Sequence, residues 1–100
     1  MAKYRVATVE EIPLGGRKLI NIAGRSIGVF NVNGEFYALR NRCPHQGGPL
    51  GKGALCGGIV TCPWHGWQFN VRSGQCRLSS SVAQPTIPLR IEEEAVFVQV

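Results

Sequence analysis

The stretch "CPHQGGPL" runs from Cys43 to Leu50, and nineteen positions after that cysteine the chain reads "CPWHGWQF", from Cys62 to Phe69. Each stretch sets a cysteine and a histidine on either side of a proline, and His45 and His65 are the only two histidines in the chain. The full pattern is Cys43-x-His45, sixteen residues, then Cys62-x-x-His65. Two thiolates and two imidazoles make a complete four-ligand set for a metal. Unrelated core cysteines and surface histidines would not be expected to fall together in matched loops. Two kinds of centre remain. A zinc site of this composition ordinarily pairs like ligands, both cysteines in one short segment and both histidines in another. Here each segment supplies one sulfur and one nitrogen, an arrangement that suits a two-iron cluster drawing one ligand of each type from each loop.

Outward from these loops the apolar period is mostly two, interrupted by turns, which predicts strands rather than helices. Residues 4–9, 17–24, 25–32, 35–39, 58–62, 67–71, 86–92 and 95–100 read as strands. Asn33-Gly34 is a hairpin signal, because both central positions of a type I′ turn need positive φ. Gly57-Gly58 and residues 72–74 read as further turns, and Glu92–Glu94 as an exposed turn in the last hairpin. No segment sustains a 3.6 period. The segments 43–53 and 62–67 fit no strand and are read as ligand-bearing loops on a β scaffold.

One hundred residues are read as one domain, 1–100. No apolar run is long enough to span a membrane, and the N-terminal residues show no apolar signal region or twin arginine. The expectation is a cytoplasmic, reducing location, where four cysteines serve metal binding more readily than disulfides. The last segment is a regular strand, so the chain reads as a whole domain. The formal charge is +5, and its distribution is uneven. Between Phe36 and Ile91 stand six basic residues, Arg40, Arg42, Lys52, Arg72, Arg77 and Arg90, and no acid. An acidic partner surface is expected to meet this region. The arginines are dispersed and form no basic helix, so nucleic acid is not expected as a partner.

The Cys-x-His…Cys-x-x-His pattern in a β-rich chain of this length resembles the Rieske [2Fe–2S] ferredoxins, and "CPWHGWQF" resembles the second loop of aromatic-ring dioxygenase systems. "NRCPHQGGPL" is similar to the first loop of an oxygenase. The resemblance covers essentially the whole chain. It implies an all-β, antiparallel β-sandwich carrying two cluster-binding loops, and one [2Fe–2S] cluster per chain. It also implies that Cys43 and Cys62 bind one iron, while His45 and His65 bind the other, near the surface. With two ferric irons, two sulfides, two thiolates and two neutral imidazoles the oxidised centre is uncharged, and so easier to reduce than an all-thiolate cluster.

The respiratory type of this family carries an extra disulfide between its loops, at places that correspond here to Gly48 and Trp64. It also carries hydroxyl residues where this chain has Trp67 and Phe69. Without hydroxyls bonding the sulfur atoms, the potential is expected near the low end of the Rieske range, about −150 mV. Trp64 and Trp67 are read as packing that shields the cluster, and Gly47, Gly48 and Gly66 as positions where backbone can approach it. Pro44 and Pro63 restrict the loops. Arg42 and Lys52, with Arg40, form either a solvated face or a docking patch. Cys56 and Cys76 are read as small buried apolar residues.

An oxygenase subunit of this kind needs a second iron held by two histidines and a carboxylate. Both histidines here are taken by the cluster, and no acid–base pair, phosphate loop or nucleophile–base pair is visible. The expectation is therefore not an enzyme but a one-electron carrier. It would be a monomer, moving electrons from a flavin-dependent ferredoxin reductase to the terminal oxygenase of an aromatic-ring dioxygenase. Two alternatives stand beside it: a small subunit of another oxidoreductase, similar to that of nitrite reductase, and a zinc-stabilised binding module.

Overall fold

The computed structural model describes residues 3–41, 50–63, 66–77 and 82–99. Among the described residues there are ten strands: β1 (Lys3–Thr8), β2 (Arg17–Ile22), β3 (Arg25–Val32), β4 (Glu35–Arg40), β5 (Ala54–Cys56), β6 (Ile59–Thr61), β7 (Gln68–Asn70), β8 (Thr86–Ile87), β9 (Leu89–Glu92) and β10 (Ala95–Gln99). The described residues contain two short 3₁₀ turns, Val9–Glu11 and Leu50–Lys52, and no α-helix. No helix among them is long and apolar enough to cross a membrane.

The pairings among these strands are all antiparallel. The strands form three sheets, in the orders β1-β10-β9, β2-β3-β4-β8 and β5-β6-β7. The four-stranded sheet is the middle layer, because β3 and β4 bury both of their faces. Ile27, Val29 and Ala38 pack with Ala7, Val96 and Val98 of the β1-β10-β9 sheet. The alternate positions Phe30, Val32 and Leu39 pack with Val60, Phe69 and Val71 of the β5–β7 region. The period-2 geometry of a strand sends neighbouring side chains to opposite faces, so one strand serves two cores. Phe30 and Phe69 are almost wholly buried, each contributing about 2 kcal/mol of transfer free energy.

The sandwich is as the sequence implies, with a small third sheet added beside the loops. β5 was not legible, being three residues long with a half-exposed pattern. The segment expected as one strand over 86–92 is divided at Pro88. Proline has no N–H to continue the ladder with β4, so β8 ends and β9 joins β10 in another sheet. The expected loop 43–53 ends in the 3₁₀ turn Leu50–Lys52. Asn33 and Gly34 have φ of 53° and 93°, the type I′ geometry expected of that pair. The buried Asn31 ties the turn down: its Oδ1 accepts from the Gly34 N–H at 2.8 Å, and its Nδ2 donates to the Ile12 carbonyl at 2.8 Å.

Candidate functional site

The two loops proposed from the sequence begin and end on neighbouring parts of this scaffold. β4 delivers the chain to Asn41, and the first loop returns at Leu50. The Asn41 N–H donates to the Ser26 carbonyl at 2.9 Å, and its carbonyl accepts from the Leu50 N–H at 2.7 Å. Its side chain adds two more bonds. Oδ1 accepts from the Gly51 N–H at 2.6 Å, and Nδ2 donates to Ser26 Oγ at 3.1 Å. Arg17 of β2 reaches the same turn, donating to the carbonyls of Gly51 and Gly53. A side chain at Gly51 would force its neighbours to shift: a β-carbon there would fall 2.0 Å from Leu19 Cδ2 and 2.8 Å from Asn41 Oδ1.

The second loop follows β6. The Cys62 N–H donates to the Trp67 carbonyl at 2.7 Å, and the Gly66 N–H donates back to the Cys62 carbonyl at 3.2 Å. These bonds bring Gly66 and Trp67 back to Cys62, and Gly66 takes a φ of 73°. Cys62 is 1% exposed and belongs to the core that β3 shares with β6 and β7, and Trp67 is half-buried against that core.

A third segment closes on the same place. Asn70 Oδ1 accepts from the N–H groups of Arg72 and Ser73, turning the chain after β7. The buried Gln84 donates from its side chain to the Arg40 carbonyl, one residue before Asn41. Its N–H donates to the Gly74 carbonyl at 2.6 Å, and the Arg40 N–H donates to the Pro85 carbonyl at 3.1 Å.

Of the residues expected at the site, Cys62, Trp67 and Lys52 are described. Arg42, Cys43, His45, Gly48, Trp64 and His65 lie outside the described residues, as do Pro44 and Gly47. No group of three or more His, Cys, Asp or Glu side chains gathers among the described residues. What the structure brings together are the segments that flank the ligand candidates: Asn41 with Leu50 and Gly51, Gly53 with Thr61, and Cys62 with Trp67. Lys52 is exposed, as a docking or solvated position requires. Cys76 is buried in the core, as expected. Cys56 is a correction: it is exposed, because it ends β5 at the Gly57-Gly58 turn, where no layer covers it. Asn41, Arg17 and Gln84 were not singled out from the sequence. The one available signal was an Asx residue at a strand end, where such side chains bond nearby backbone.

Some of the exposed charges are paired. Lys3 pairs with Glu92 at 2.9 Å and Lys18 with Glu11 at 2.9 Å. The hydrogen bond from Lys18 holds the Glu11 carboxyl below its ordinary pKa, and the one from Lys3 does the same for Glu92. Glu93 and Glu94 are on the turn between β9 and β10, in the sheet on the far face of the middle layer from β5–β7. By contrast Arg25, Arg40, Lys52 and Arg77 are exposed and have no carboxylate within salt-bridge distance among the described residues.

An antiparallel β domain whose Cys-His segments are flanked by neighbouring described residues is an architecture suited to an iron–sulfur domain. The donor set and the paired loop bases fit a two-iron cluster. Residues 2–91 match the Rieske [2Fe-2S] domain, and the chain belongs to that family. Its cofactor is a [2Fe–2S] cluster. The chain is 33% identical over 101 residues to the biphenyl dioxygenase ferredoxin subunit of Pseudomonas sp. (strain KKS102), covering 98% of this chain and 92% of that protein. It is 35% identical over 95 residues to apoptosis-inducing factor 3 of Homo sapiens, covering 94% of this chain but only 16% of that protein. A chain in the complex of reduced oxygenase and oxidized ferredoxin in carbazole 1,9a-dioxygenase superposes with a TM-score of 0.90 and 28% identity. That match covers 96% of this chain and 91% of the other.

Proposed function

We propose that this chain is a one-electron carrier that takes electrons from a flavin-dependent ferredoxin reductase and delivers them to the terminal oxygenase of an aromatic-ring dioxygenase system. The observation that carries the reading is the near end-to-end match to the biphenyl dioxygenase ferredoxin subunit. Cys43 and Cys62 are assigned to one iron, and His45 and His65 to the other. The cluster, when bound, accepts and returns one electron without making or breaking a substrate bond. The chain's own part is to hold it. Cys62 supplies a thiolate from beside its backbone bond to Trp67, half-buried Trp67 keeps water from that side, and the first loop's bases are anchored to β2, β3 and β4. With both histidines on the cluster, none remains for a mononuclear oxygen-activating iron. The exposed arginines and Lys52 favour an acidic docking surface on each partner. A reducing cytoplasm suits the location.

EPR of the dithionite-reduced protein, with a redox titration of the same sample, tests this reading. The expected result is a rhombic Rieske signal with a midpoint near the low end of the range, about −150 mV. A colourless protein that contains zinc would overturn it.

A second reading keeps the cluster and changes the partner: a Rieske module of another oxidoreductase, as in a nitrite-reductase-like small subunit. The match to a small part of apoptosis-inducing factor 3 favours it. Reconstitution with a ferredoxin reductase and a ring-hydroxylating oxygenase separates the two readings. Hydroxylated product dependent on this chain supports the first, and reduced chain without product supports the second.

A further inference from the structure

Asn41 stands where three backbone segments meet. Its own main chain is the end of the β4 run. Its side chain binds the β3 strand through Ser26 Oγ and the end of the first loop through the Gly51 N–H. The main-chain bond from Leu50 to the Asn41 carbonyl closes the loop once, and the bond from Gly51 to Oδ1 closes it a second time. Gly51 is buried, so its N–H has no water to fall back on, and without Oδ1 it would be a buried, unpaired donor. The turn is also held from a second side. Arg17 donates to the carbonyls of Gly51 and Gly53, and the Leu19 side chain packs against Gly51.

We infer that Asn41 is a positioning residue for the cluster: its carboxamide fixes the span of the first loop and so holds Cys43 and His45 in register with Cys62 and His65. This rests on the assignment of those four residues as ligands. In that assignment each iron takes one ligand from each loop. A slack first loop therefore exposes both irons together, and the whole cluster is lost in one phase. The pairing also separates two substitutions of nearly equal size. Asn41→Ala removes both side-chain bonds. Asn41→Asp keeps them: one carboxylate oxygen accepts from Gly51, and the other accepts from Ser26 once its hydroxyl turns to donate. It also adds a negative charge near the site, which disfavours the extra electron.

The experiment is bleaching of the visible absorbance of the holoprotein in excess EDTA, with midpoint potentials measured on the same preparations. Asn41→Ala is expected to bleach about tenfold faster than wild type in a single phase, equivalent to about 1.4 kcal/mol. Asn41→Asp is expected to bleach within about twofold of wild type and to show a more negative midpoint, since its two bonds survive. Wild-type bleaching by Asn41→Ala, or bleaching by Asn41→Asp as fast as by Asn41→Ala, would overturn the inference alone. If Asn41→Ala does not accumulate folded, Ser26→Ala decides. It leaves every backbone bond in place, and is expected to bleach about threefold faster for one lost hydrogen bond. An unchanged rate there overturns the inference. A wild-type chain holding zinc in place of iron would overturn the ligand assignment itself, and this inference with it.

Discussion

Gly53 and Thr61 meet backbone to backbone: a β-carbon on Gly53 would stand 1.7 Å from the Thr61 carbonyl oxygen. This contact sets the end of the first loop directly beside the strand that leads into Cys62. A methyl group cannot be accommodated by turning a side chain, because the obstacle is main chain. Gly53→Ala is therefore expected to lose about 3 kcal/mol of stability and most of its bound iron. Urea unfolding and iron analysis on the same protein check both. An alanine variant with full iron and wild-type stability would mean the loops are not coupled here.

The four cysteines are expected to separate by function. Cys43→Ser and Cys62→Ser should lose the visible spectrum. Cys56→Ser should keep full iron, since Cys56 is exposed on β5. Cys76→Ser should keep the cluster but cost about 1–3 kcal/mol, because it puts a hydroxyl into the apolar core around Phe30 and Phe69. Iron content and chemical denaturation of each variant give the comparison, and loss of iron in Cys56→Ser would contradict it.

Reduction by the partner should be fast at low salt and slow as salt rises, since exposed charges are largely screened beyond about 10 Å at 0.1 M. The triple change Arg40→Gln, Lys52→Gln and Arg77→Gln should lower the low-salt rate and flatten its salt dependence, with the midpoint potential little changed. Stopped-flow rates across ionic strength measure this. A steep salt dependence surviving in the triple variant would place the docking face elsewhere.

Glu11 contributes through Lys18, and its lowered pKa gives the sign of the pH effect. A carboxyl with a depressed folded-state pKa stabilises the fold above its unfolded pKa, and that contribution disappears as pH falls through the lowered value. Glu11→Gln should thus be slightly less stable than wild type above about pH 5 and indistinguishable from it in stronger acid. The pair is exposed, so the difference is small. Cluster loss in acid has a separate origin, because protonated imidazole cannot ligate iron. Comparing urea midpoints of the apoproteins across pH isolates the Glu11 effect.

Glu93 and Glu94 occupy the β9–β10 turn with φ of 49° and 65°. Left-handed backbone disfavours both, while Asn-Gly adopts it readily, as Asn33-Gly34 does in this chain. Replacing the pair with Asn-Gly should raise stability by about 1 kcal/mol, seen as a higher melting temperature. No gain would mean that the two glutamates are compensated by contacts other than the turn.

The chemistry was legible because it is written in residue types at short spacing. Two Cys-Pro segments holding the chain's two histidines pointed to the Rieske family without reference to shape. The hairpin at 33–34 was legible for the same local reason, and so was the alternating pattern of β3 and β4. β5 escaped because three residues carry too little pattern, and the break at Pro88 because its effect depends on which strand lies alongside. The burial of both faces of β3 could be read as a strand, but not as the middle of three layers.

Nothing in the sequence marks Asn41, Arg17 or Gln84 as more than polar residues on or between strands. Their roles are set by partners 10, 34 and 44 positions away. Likewise the exposure of Cys56 and the burial of Cys76 depend on which layers cover them. The sequence by itself determined the family and proposed the ligand set, since both follow from residue types at local spacing. Only the tertiary structure decided what ties the loop bases together and which of the described charges form ion pairs, because those are contacts between segments that the chain order keeps apart.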